Sequence, residues 1–77
     1  MKTVKETLEY ILSSITNKED NITVEEHQEG DMNIIEIIAP KEIIGKIIGK
    51  EGKIIKSIRT ILNLSFHQEK FIVKIRE

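Results

Sequence analysis

Two short apolar helical faces meet at a turn in the stretch Ile47-Ile48-Gly49-Lys50-Glu51-Gly52-Lys53-Ile54-Ile55-Lys56-Ser57-Ile58. Two glycines three residues apart allow the chain to reverse there, because residues without a Cβ accept tight turns and leave their backbone amides exposed. The following helix begins at the turn, so its positive dipole end points to the same place. The stretch therefore predicts a turn whose amide donors face an anion.

Basic side chains surround the same turn. They are Lys46, Lys50, Lys53, Lys56 and Arg59. The only acids between residues 41 and 60 are Glu42 and Glu51. A sugar-phosphate backbone laid over residues 49–52 would meet amide donors and positive charges together. The flanking isoleucines, Ile48 and Ile55, would offer its bases an apolar floor.

The residues before this stretch predict one helix and two strands. Apolar side chains recur with helical spacing over residues 4–15. Apolar and polar side chains alternate over residues 22–28, and a second strand is predicted over residues 32–38. A tight turn at Gly30 connects these strands, which makes them an antiparallel hairpin.

The residues around and after the turn predict two more helices and a last strand. Between residues 41 and 64 the period changes to about 3.6, with a short apolar face before the turn and a longer one after it. The longer face consists of Ile54, Ile55, Ile58, Ile61 and Leu62. A strand follows over residues 70–76, and the long crossover before it permits parallel pairing. We predict one α+β domain over residues 1–77 with the order αββααβ, in which three helices cover one face of a three-stranded mixed sheet.

Composition and charge exclude several classes of site. The 77 residues include no cysteine, which excludes disulfides, thiolate zinc sites and cysteine nucleophiles. Residues 1–40 hold three lysines against nine acids, and residues 41–77 hold nine basic residues against four acids. This asymmetry indicates a polyanionic partner, while only three aromatic residues argue against base stacking on an aromatic platform. The sequence predicts neither a signal peptide nor a membrane span.

The residues of the turn also resemble a known signature. Ile48-Gly49-Lys50-Glu51-Gly52-Lys53-Ile54-Ile55 is similar to the I-G-x-x-G-x-x-I motif of the KH domain family of RNA-binding modules. The predicted order αββααβ resembles the type II, prokaryotic arrangement of that family. Ala39-Pro40 and residues 45–53 and 57–62 extend the resemblance to the small stand-alone bacterial members, over essentially the whole chain.

This resemblance implies a cytoplasmic protein that binds single-stranded RNA with low sequence specificity, as an RNA chaperone or regulator linked to cell elongation and division. It also implies a homodimer, or a heterodimer with a larger KH-containing protein. We expect no cofactor, metal, membrane or small-molecule substrate. The expected RNA-binding residues are Lys46, Ile48, Gly49, Lys50, Glu51, Gly52, Lys53, Ile55, Lys56 and Arg59. Glu51 departs from the family pattern, in which this position is more often neutral or basic, and its charge would oppose phosphate.

Two other functions fit parts of the sequence. A dimerisation module could retain the KH fold without using its turn. A helix-turn-helix DNA-binding protein could use residues 53–60 for recognition, but the flanking strands and the absence of Asn and Gln along that helix argue against base-edge reading. An enzyme is not expected, because no nucleophile–base pair can be assembled and His27 and His67 fall in unrelated parts of the pattern.

Overall fold

The computed structural model describes residues 2–17 and 20–77, and its first element is helix α1 (Val4–Ile15). A capping box closes the first turn of this helix. The Thr3 hydroxyl accepts from the Glu6 N–H at 3.1 Å, and the Glu6 carboxylate accepts from the Thr3 N–H at 2.9 Å. The predicted first helix is confirmed. Its buried side chains are Val4, Leu8 and Leu12.

Three strands form a mixed sheet in the order β1-β2-β3. β1 (Thr23–Glu29) and β2 (Met32–Ile38) form an antiparallel hairpin, and β3 (Phe71–Arg76) lies parallel to β2. All three predicted strands are confirmed, with ends that differ by at most one residue. β2 is the central strand, and its Ile35 and Ile37 side chains are fully buried.

Two further helices cross over from β2 to β3. Helix α2 (Lys41–Ile48) starts directly after Pro40, and helix α3 (Lys53–Ser65) follows a single 3-10 turn at Lys50–Gly52. The three helices and one face of the sheet enclose one hydrophobic core. Its buried side chains are Val4, Leu8, Leu12, Val24, Ile35, Ile37, Ala39, Ile43, Ile47, Ile55, Ile58, Leu62 and Val73. The predicted α+β class and the order αββααβ are confirmed.

The buried stripe of α3 is narrower than the sequence predicts. Ile55, Ile58 and Leu62 are buried, whereas the side chains of Ile54 and Ile61 are 38% and 47% exposed. The isoleucines in the middle of the apolar face are therefore buried, and those at its two borders are about half exposed. Only the middle of an apolar helix face contacts the sheet and the neighbouring helices. The helix face is correctly predicted, but its width is not.

Ile58 and Ile61 provide a matched test of this packing. Ile58 is only 3% exposed, so Ile58→Ala should lower the free energy of unfolding by about 2–5 kcal/mol, since it removes buried methylene groups and leaves a cavity. Ile61→Ala removes the same atoms from the same helix at a half-exposed position and should cost much less. Urea unfolding of both variants measures the difference. Equal losses would contradict the assignment of the buried face.

Candidate nucleic-acid interface

Residues 49–52, the glycine loop, connect α2 to α3 with an unusual backbone. Gly49, Glu51 and Gly52 all have positive φ angles, of 76°, 58° and 73°. The Gly52 N–H donates to the Gly49 carbonyl at 3.1 Å, which closes the loop, and the Lys53 N–H donates to the Lys50 carbonyl. Glu51 is thus a non-glycine residue in the left-handed region, which a side chain with a Cβ rarely adopts.

The two glycines of the loop are required for different reasons. A Cβ on Gly49 would lie 2.6–2.9 Å from the Cγ1, Cδ1 and Cβ atoms of Ile54, so the absence of a side chain allows α3 to approach the end of α2. A Cβ on Gly52 would meet only the end of the Lys56 side chain, at 4.0 Å. Gly52 is therefore required by its left-handed backbone alone, and Gly49 by both its backbone and its packing.

The loop leaves the start of α3 without a cap. Gly52 is the N-cap of α3 and provides no side-chain acceptor, so no side chain caps the start of that helix. Free amides at an uncapped helix N-terminus favour a bound anion, because both the N–H groups and the helix dipole present positive charge.

The five predicted basic residues do not contribute equally. The Lys46 ammonium lies 3.8 Å from the largely buried Asp20 carboxylate, which draws it away from the loop. The exposed ammonium of Lys53 lies 3.8 Å from the Glu51 carboxylate, in water, where such a pair is weak. Within residues 2–17 and 20–77, Lys50 and Lys56 form no ion pair. Three lysines, at positions 50, 53 and 56, therefore follow one side of the loop and the first turn of α3.

The two predicted apolar contacts are placed differently. Ile48 ends α2 partly buried and packs against the core, so it retains some surface beside the loop. Ile55 is only 6% exposed and belongs to the core. Ile55 thus holds α3 against the sheet and has almost no surface left for a ligand.

A groove that was not predicted from the sequence runs beside α3. It has a volume of about 250 Å³ and is lined by Arg59, Asn63, Phe71, Ile72 and Val73. Its floor includes β3, which is an edge strand of the sheet. The only signal for this groove in the sequence is the predicted position of the third strand. That strand pairs with β2 on one side, so its other edge stays uncovered.

A larger groove lies between α1 and β1, with a volume of about 500 Å³. Among the described residues, its lining includes the carboxylates of Glu9 and Asp20 and no basic side chain. Phosphate groups would be repelled there. Of the two grooves, only the one beside α3 and the glycine loop has the electrostatic character of a nucleic-acid site.

An αββααβ fold whose crossover helices meet at a Gly-x-x-Gly turn defines a KH-domain protein of type II. The family model described as "KhpA/KhpB, KH domain" matches residues 5–76, and the chain belongs to this family. The resemblance inferred from the sequence is therefore confirmed.

Two bacterial proteins of known name are similar to most of the chain. It is 44% identical over 59 residues to the RNA-binding protein KhpA of Chlamydia trachomatis, an alignment that covers 77% of this chain and 76% of the relative. It is 35% identical over 74 residues to the RNA-binding protein KhpA of Clostridium perfringens, covering 94% and 99%. No solved structure matches the chain significantly.

The described residues contain neither a membrane-spanning helix nor a metal-binding cluster. No helix within residues 2–17 and 20–77 has the length and apolar character needed to cross a bilayer. The same residues contain no group of three or more His, Asp or Glu side chains placed to hold a metal ion.

The different roles of the two glycines lead to a prediction about stability. Gly52→Ala should cost about 1–2 kcal/mol, because only its left-handed backbone opposes a Cβ. Gly49→Ala should cost about 3 kcal/mol or more, because its φ of 76° and ψ of 176° lie in a region almost restricted to glycine and its Cβ would also overlap Ile54. Urea unfolding compares the two variants. A smaller loss for Gly49→Ala than for Gly52→Ala would show that this close contact is not required.

Proposed function

We propose that this protein binds single-stranded RNA through the glycine loop, with low sequence specificity. The uncapped start of α3, beside the exposed side chains of Lys50 and Lys56, carries this proposal. Backbone N–H groups of the helix start and these ammonium groups would donate to phosphate oxygens, which all nucleotides share, so such contacts position a strand without reading its sequence. The relatives from Chlamydia and Clostridium are named RNA-binding proteins, which supports the same choice of ligand.

The contacts expected from the sequence divide into direct and supporting ones. Lys50, Lys53 and Lys56 would meet phosphates directly, while Gly49 and Gly52 would permit the loop conformation. Ile48 would contact a base or sugar with its remaining surface. Glu51 would reduce the net attraction through its carboxylate, which lies near Lys53.

Three of the predicted RNA-binding residues would contribute less directly to RNA binding. Lys46 would contribute long-range attraction only, because Asp20 lies beside its ammonium. Ile55 would act by fixing the position of α3. Arg59 lies in the groove beside β3, beyond the loop, and donates a hydrogen bond to that strand.

Membership of the family supports a proposal about the wider biological role. We propose that residues 1–77 act as one cytoplasmic KH module, as an RNA chaperone or regulator linked to cell elongation and division. The module would bind its ligand without chemistry on it and without a cofactor. Its partner would be a second copy or a larger KH-containing protein.

Dimerisation alone is a second candidate function. Leu64 is 74% exposed on α3, and Ile61 on the same helix is nearly half exposed. Apolar side chains that remain in water on a small domain favour association with another chain. RNA binding and dimerisation are compatible, since two modules on one strand bind more tightly than either module alone.

A double substitution in the loop tests the RNA-binding proposal. Lys50→Asp with Glu51→Asp should abolish binding of a labelled single-stranded RNA, because it replaces attraction by repulsion at the loop. The fold should persist, since both positions are exposed and aspartate accepts the left-handed backbone of residue 51 better than most residues. Fluorescence anisotropy measures binding, and thermal unfolding checks the fold.

Lys74→Asp is the matched control for that variant. It changes the net charge by the same amount at an exposed residue of β3, on the sheet face away from the helices. It should reduce affinity only slightly. Equal losses from both changes would mean that the whole protein's charge, and not the loop, controls binding.

The salt dependence of binding tests how many phosphates the protein contacts. Two or three contacts with a single strand predict a slope of about −1.4 to −2.1 in log affinity against log salt concentration, or roughly a tenfold loss between about 50 and 200 mM salt. Lys53→Ala should flatten the slope by about 0.7, and Lys74→Ala should leave it unchanged. An unchanged slope for Lys53→Ala would remove that residue from the site. A wild-type slope steeper than about −4 would favour a duplex-binding helix-turn-helix protein, and no saturable binding would favour dimerisation alone.

A further inference from the structure

Lys46 lies where its ammonium could reach a strand bound at the glycine loop. It belongs to the last turn of α2, three residues before Gly49, and its side chain is exposed. Three residues of helix span only about 4.5 Å along the axis. A lysine carries its charge on a long, flexible stem. Lys46 would therefore contact a phosphate over the loop if no other group held its ammonium.

Asp20, which precedes β1, is the acid that holds this ammonium. The Asp20 N–H donates to the Asn17 carbonyl at 3.0 Å, and the Asp20 Oδ2 accepts from the Asn17 N–H at 2.9 Å. The same Oδ2 lies 3.8 Å from the Lys46 Nζ. Two hydrogen bonds to one residue fix the carboxylate, whereas the lysine stem is flexible. The place where the two charges meet is consequently set by Asp20.

Two lysine–carboxylate pairs of equal length differ in their exposure to water. The Lys53 ammonium also lies 3.8 Å from a carboxylate, that of Glu51. The Glu51 side chain is 72% exposed, whereas the Asp20 side chain is only 13% exposed. Water and dissolved ions weaken an exposed pair strongly and a partly buried pair much less. Asp20 therefore holds Lys46 more firmly than Glu51 holds Lys53.

We propose that Asp20 limits the RNA affinity of this protein by keeping the Lys46 ammonium away from the bound strand. The inference rests on the proposed RNA-binding function and adds to it an acid that competes with phosphate for one lysine. Asp20 itself would not touch RNA, so it is a positioning residue that acts through Lys46. The wild-type site would thus use one lysine fewer than α2 and α3 provide.

Asp20→Asn tests this inference with little disturbance of the fold. Asparagine keeps an oxygen that accepts from the Asn17 N–H, and only the charge is lost. The released Lys46 would add one phosphate contact. The slope of log affinity against log salt concentration should therefore steepen by about 0.7, and affinity should rise about four-fold at about 150 mM salt. Fluorescence anisotropy with a labelled single-stranded RNA measures both quantities, and thermal unfolding checks the fold.

Lys46→Met identifies the lysine that causes the gain. In the wild-type background it should leave the slope unchanged, because Asp20 already keeps Lys46 from the strand. Combined with Asp20→Asn, it should cancel the gain, so the two changes should not be additive. Glu9→Gln is the matched control, since it removes the same charge from the same groove at a residue without an ion pair among those described. It should leave the slope unchanged.

The outcomes separate this inference from the proposed function. An unchanged slope in Asp20→Asn would overturn the role of Asp20 while RNA binding through the loop still stood. A slope that flattens by about 0.7 in Lys46→Met alone would overturn it too, because Lys46 would then already contact phosphate. An equal gain in Glu9→Gln would assign the effect to net charge. A wild-type protein that binds no RNA would overturn both proposals.

Discussion

The contact between Gly49 and Ile54 is the constraint on which the rest of the structure depends. Only a residue without a side chain leaves room for the Ile54 side chain at the end of α2. That approach allows α3 to start immediately after a single 3-10 turn, which places Ile55, Ile58 and Leu62 on the core. The conformation of the loop and the packing of the fold are consequently set by the same few atoms.

The loop combines backbone strain with an uncapped helix start. Three positive φ angles within four residues point its backbone away from ordinary helical hydrogen bonds. The energy that this conformation costs is offset by the apolar burial of the helices on either side, because α2 and α3 share the core with the sheet. The start of α3 is uncapped in this conformation, and under the proposed function it would require no rearrangement before an anion binds.

Ion pairs decide which positive charges remain available. Asp20 lies beside Lys46, Asp31 accepts from Lys70 at 2.7 Å, and Glu36 accepts from Arg76 at 3.1 Å. Such surface pairs add little stability, but they neutralise charge locally. Within residues 2–17 and 20–77, Lys50 and Lys56 beside the glycine loop form no such pair and keep their full charge.

The sequence by itself determined the order of helices and strands, because apolar periodicity reports local geometry and the glycines mark the one reversal between two helices. It also determined the motif and the basic residues around it. Tertiary structure alone decided that Ile54 and Ile61 lie at the border of the core, that Asp20 lies beside Lys46, and that Arg59 bonds to β3. These contacts join residues whose separation along the chain does not predict their distance in space. They depend on how the helix layer lies on the sheet, which periodicity does not encode.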